Sequence, residues 1–146
     1  MTNIAYIVKD KVESESSSQI ASDMYKSFII TYQNYSQCSA LMHTKFDAIF
    51  LFPEDLNVGR GSSRMQEIDH PSYLGRKVLT DIIRNSKSVN NKTPTAVIID
   101  FEDEDNDLYT KNGYKKAKAT AICNESEEDV LEFTEEFLKK HLKLKK

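Results

Sequence analysis

Five short apolar runs, separated by longer stretches of helical periodicity, constrain this chain more than any other feature. That alternation suits a parallel β-sheet covered by helices. The runs are residues 4–8, 28–31, 48–52, 96–99 and 119–123. The third, AIFLF, is apolar on both faces, as buried parallel strands are. Leading into the second run, Ile20, Met24, Tyr25 and Phe28 recur at helical spacing, and the serine-rich stretch 14–18 offers N-caps. Cys38, Leu41 and Met42 mark a second helix, and Leu74, Val78, Leu79, Ile82 and Ile83 a third. A fourth is expected over 108–116. A fifth, over 127–142, carries a stripe of Val130, Phe133, Phe137 and Leu138. Residues 53–71 hold Gly59, Gly61 and mixed charges and read as a long loop, a length usually reserved for function or mobility. The expected architecture is α/β, with a five-stranded parallel sheet and helices on both faces.

At 146 residues the chain suits one domain over 1–146 with one sizeable core. Its formal net charge of −3 gives no bulk attraction to nucleic acid or to an anionic membrane. No apolar run approaches the roughly 20 residues that span a bilayer. The first residues lack the basic start, apolar stretch and cleavage site of a secretory leader, so an intracellular, cytoplasmic protein is expected. Cys38 and Cys123 stand far apart without metal spacing and read as separate buried thiols. His43, His70 and His141 accompany no nucleophile signature. Gly59-Arg60-Gly61 falls short of a phosphate-binding loop, because Arg64 stands where the third glycine belongs.

Three stretches together resemble the receiver domain of two-component response regulators over nearly the whole chain. They are Phe28-Ile29-Ile30-Thr31 with Ala40-Leu41 and Phe46-Asp47-Ala48-Ile49; Leu79-Thr80-Asp81-Ile82-Ile83-Arg84 with Thr93-Pro94-Thr95-Ala96-Val97-Ile98; and Gly113, matching the family's Gly-Ala turn before the fifth strand. The resemblance implies a flavodoxin-like strand order, 2-1-3-4-5. Ligands in such sheets gather at the carboxyl ends of the strands.

The resemblance also implies a phosphoryl-accepting pocket, and its positions can be followed in this chain. The acceptor aspartate at the end of strand three falls on Phe52, which has no nucleophile. The paired acids after strand one, which hold a divalent cation, fall on Lys9 and Asp10. The strand-four hydroxyl falls on Ile99, the strand-five lysine on Cys123, and the aromatic switch residue on Thr120. The pocket reads as dismantled, and the leading expectation is a non-enzymatic protein-interaction module without a cofactor or metal, a pseudo-receiver. Two alternatives stand beside it. Glu54 or Asp55 could serve as a displaced acceptor with a divalent cation, although Pro53 fixes how the chain leaves the strand. Or the flavodoxin-like shape binds a small ligand unrelated to signalling.

Receiver relatives signal through the face of their fourth helix, fifth strand and fifth helix. Carried over, that face makes Leu108, Tyr109 and Tyr114 candidate contacts for a protein partner or a second copy, unless the tyrosines pack against the sheet. The acidic run Asp100, Glu102, Asp103, Glu104, Asp105 and Asp107 reads first as a solvated loop and first helical turn. A partner-binding patch or a cation site are its other readings. Lys139, Lys140, Lys143, Lys145 and Lys146 form a basic tail that complements the last helix dipole and leaves nuclear import open.

Overall fold

The computed structural model describes residues 2–8, 11–25, 28–32, 35–53, 73–102 and 104–142. Its sheet has five strands: β1 (Asn3–Ile7), β2 (Phe28–Tyr32), β3 (Ala48–Leu51), β4 (Thr95–Ile99) and β5 (Ala121–Asn124). They run parallel in the order β2-β1-β3-β4-β5. The helices between them are α1 (Lys11–Tyr25), the 3₁₀ helix α2 (Tyr35–Met42), α3 (Tyr73–Lys77), α4 (Glu104–Lys116) and α5 (Val130–His141). α3 runs on directly into a π-helical turn, Val78–Ile83. The long loop expected at 53–71 lies, beyond Pro53, outside the described residues, as do residues 143–146 of the basic tail.

Alternation along each strand sorts the core into two layers, because successive strand side chains point to opposite faces. Ala5, Ile7, Ile49, Leu51, Val97 and Ile99 face one way and meet Cys38 and Leu41 of α2, the π turn, and Tyr114 of α4. Ile4, Tyr6, Ala48, Phe50, Ala96 and Ile98 face the other way and meet Ala21 of α1 with Phe137 and Leu138 of α5. Helices therefore cover both faces. Among the described residues no helix is long and apolar enough to cross a membrane.

Local signals moved several boundaries. α1 begins at Lys11, so the serines at 14–18 lie inside the helix instead of capping it. Asp129 caps α5 by accepting from the backbone N–H groups of Leu131 and Glu132, which starts that helix at Val130 and not at 127. The 3₁₀ winding of α2 has three residues per turn, so Cys38 and Leu41 fall in line, and both are fully buried. Gly113 does not make the turn before β5; it lies inside α4. The left-handed residue is Lys118, at φ 67°. Lys118 N–H donates to Lys115 O and Ala119 N–H to Tyr114 O, the paired bonds of a Schellman ending.

One polar thread crosses the α1–α5 layer. The Tyr6 hydroxyl lies 2.8 Å from Ser17 Oγ, and Ser17 Oγ lies 2.8 Å from Thr134 Oγ1. Thr134 spends its single proton on Val130 O, so Ser17 donates to Thr134 and Tyr6 donates to Ser17. Burial raises the Tyr6 pKa well above the usual phenol value, with the Ser17 hydrogen bond opposing. Ser17→Ala strands the Tyr6 proton in an apolar layer and is expected to destabilise by about 2 kcal/mol. Tyr6→Phe with Ser17→Ala should recover about half of that in urea unfolding. No recovery in the double variant would show that a stranded Tyr6 proton is not the cause of the loss.

Candidate functional site

The carboxyl ends of the strands form the edge where a sheet of this topology places its ligands. Lys9 and Asp10, which follow β1, lie outside the described residues, as do Glu54 and Asp55. At the end of β3, Phe52 N–H donates to Ile7 O at 2.8 Å, holding the residue in register beside β1. Its ring does not face the edge. It is 4% exposed and sits in the α1–α5 layer, 6.2 Å from the Tyr6 ring at an interplanar angle of 30°.

Ile99 and Cys123, the expected strand-four and strand-five positions, are also buried and lie on opposite faces of the sheet. Ile99 is buried on the opposite face of the sheet from Phe52, in the layer under α2 and α4. Cys123 is buried on the same face as Phe52, and its thiol is pushed up to about 12 by burial first and then by the nearby Glu128 carboxylate. Burial also pushes Cys38 up to about 12. Neither cysteine is in a disulfide, and neither is a thiolate near neutral pH. Thr120 stands at the wrong end for a switch residue. Its N–H donates to Thr95 O at the start of β4, and its hydroxyl oxygen accepts from Thr95 N–H.

Asn124 closes the edge between β4 and β5, a role sequence reasoning missed. It is fully buried, paired in register with Ile99. Its Oδ1 accepts from Phe101 N–H and Ser126 N–H, each at 3.1 Å, and its Nδ2 donates to Phe101 O at 2.9 Å. Beside this clamp the Ser126 hydroxyl donates to the Asp100 carboxylate. The only signal in the sequence is a lone amide directly after the apolar run 119–123. At this edge an uncharged amide knits two backbones together.

A divalent cation needs several oxygen donors at close range. Phe52 supplies none, and among the described residues no three His, Cys, Asp or Glu side chains converge as ligands. The acids nearest this edge in the sequence, Asp10, Glu54 and Asp55, lie outside the described residues.

The expected partner surface divides. Leu108 and Tyr109 are 62% and 54% exposed on α4. Tyr114 is fully buried among Ile7, Val78 and Ile99 and presents nothing to a partner. The two tyrosines are five helical positions apart, about 140° around the axis, so α4 cannot show both on one face. At the far edge of the sheet, Arg84 gathers carbonyls: it donates to Asn90 O and Thr93 O, at 3.1 and 2.9 Å, and to Lys118 O at 3.1 Å. Its position follows from the π turn, which closes with Arg84 N–H on Leu79 O. This cation braces loops remote from the candidate site.

No protein-family model and no curated protein matches the chain by sequence. Solved structures do match by shape. The signal receiver domain of a histidine kinase from Clostridium thermocellum is similar at 15% identity and a TM-score of 0.68, over 97% of this chain and 98% of that one. The chemotaxis protein CheY4 of Vibrio cholerae is similar at 13% identity and a TM-score of 0.65, over 97% of this chain and 99% of that one. The HemR receiver domain of Leptospira biflexa is similar at 14% identity and a TM-score of 0.62, over 100% and 98%. With the strand order and the two helical layers, these likenesses show that the chain has the flavodoxin-like fold of a receiver domain.

Proposed function

We propose that the chain is a receiver-like module that accepts no phosphoryl group and acts by protein–protein contact in signalling. The observation that supports this reading is Phe52: a buried aromatic ring stacked on Tyr6, at the position to which the resemblance assigns the strand-three acceptor. Phosphoryl transfer needs an oxygen nucleophile in line with phosphorus and cations to spread the charge on its oxygens. Ile99, Cys123 and the Asn124 clamp supply neither a cation nor an open hydroxyl. Partner contact falls instead to α4, where Leu108 and Tyr109 expose apolar surface that aromatic-rich interfaces use.

Incubation of the full chain with a small phosphodonor and magnesium, followed by intact-mass measurement, is expected to leave the mass unchanged. A stable gain of one phosphoryl group, abolished by Asp55→Asn, would replace this reading with that of a displaced acceptor. A rise in melting temperature with a nucleotide or flavin would replace it with a small-ligand role, since a ligand at 100 times its Kd adds about 2.7 kcal/mol of stability.

A further inference from the structure

Away from the strand ends, α3 and α4 leave an open groove of about 370 Å³ between them. Arg76, Lys77 and Lys116 line it against a single acid, Asp81. Asp81 is already engaged, 3.3 Å from Lys77 Nζ within the same helical segment. Two cations are left over. Lys116 pairs with no carboxylate among the described residues, and the Nε–H of Arg76 is buried without an acceptor among them. Such excess is not inherited from the chain as a whole, whose net charge is −3.

Arg76 is also held ready. It lies across Gly113, whose lack of a side chain makes room: a Cβ there would come within 2.9 Å of Arg76 Cδ. Its guanidinium sits over the Tyr109 ring, 5.6 Å from the centroid. A flat guanidinium on an aromatic face still presents its N–H edge to a carboxylate, and the pairing limits the side-chain entropy lost on binding. Tyr109 adds exposed apolar surface beside the charge.

We propose that this groove docks a carboxylate-rich segment of a partner protein. A bare anion would use only the cations; a peptide that alternates acidic with apolar side chains uses both the cations and the Tyr109 ring. A small turn of Arg76 off Gly113 lets its orphan Nε–H join a two-point hydrogen bond to the incoming carboxylate. The inference rests on reading the chain as an interaction module and names the chemistry of its partner.

The test is a titration of the isotope-labelled full chain with an acetylated peptide alternating glutamate and leucine, followed by amide chemical shifts. The glutamate peptide should shift resonances around Arg76, Gly113 and Lys116. Its glutamine counterpart should bind at least about tenfold more weakly, and added salt should weaken the glutamate peptide. The variant Arg76→Gln with Lys116→Gln should lose about tenfold in affinity, while Lys140→Gln on α5 keeps it. Equal binding of the glutamine peptide, an unchanged double variant or no shifts at all would overturn the proposal. So would equal shifts with inorganic phosphate, which would make the groove a small-anion site. None of these outcomes bears on whether the chain accepts a phosphoryl group, and a phosphoryl mass gain would leave the groove's binding unchanged.

Discussion

Phe52→Asp is expected to lower the unfolding free energy by about 4 kcal/mol or more, and to leave the protein as inert toward a phosphodonor as its parent. The first effect follows from what the ring does. At 4% exposure and stacked beside Tyr6, Phe52 fills volume between β3 and the α1–α5 layer. Truncating a buried phenylalanine leaves a cavity and typically costs about 3–5 kcal/mol, and a carboxylate set there adds its own desolvation. The second effect follows from the surroundings, because an acid at position 52 brings no hydroxyl or cation to the buried Ile99 and Cys123, where the resemblance would put those groups. Urea unfolding measures the first and intact mass after phosphodonor treatment the second. Full stability in the variant would mean that the ring is not structural, and a phosphoryl gain would mean that the pocket needs only its acid.

Gly75→Ala should destabilise by roughly 3 kcal/mol, although alanine favours a helix by about 1 kcal/mol over glycine. A Cβ at Gly75 would stand 2.3 Å from Pro53 Cβ and 2.3 Å from the Tyr114 hydroxyl oxygen. Neither can retreat. Pro53 is a buried rigid ring where the chain leaves β3, and Tyr114 is a fully buried core residue. Gly113→Ala makes the contrast, for there the Cβ meets the flexible stem of Arg76, which can move. Its clash and its gain in helix propensity should nearly cancel, within about 1 kcal/mol. Thermal unfolding of the two variants side by side checks the pair; equal losses would show that the close approach at Gly75 is not tight.

Two of the stretches that resemble receiver domains fare differently in three dimensions. The lead-in to strand four, Thr93-Pro94-Thr95, does begin a buried strand, and Arg84 before it does occupy a fixed place. Gly113, by contrast, matches the family's turn by residue type alone and lies inside α4. A glycine inside a helix and a lysine in the left-handed region both run against local preference. Such exceptions are set by surroundings: Arg76 needs the space at Gly113, and the Schellman bonds from Ala119 and Lys118 hold the ending of α4.

The strands, their parallel pairing and the apolar character of Phe52 were written in the chain itself. Each depends on the chemical character of consecutive residues, and a buried parallel strand must be apolar whatever packs on it. Which tyrosine of α4 is core and which is rim, why Asn124 is buried, and where Arg76 finds room were decided only in three dimensions. Those outcomes turn on meetings between residues far apart in the chain, such as Asn124 with Phe101, Pro53 with Gly75, and Arg76 with Gly113. Helical phase and close packing settle them, because a shift of one residue turns a helical side chain by about 100° and carries it from solvent into the core.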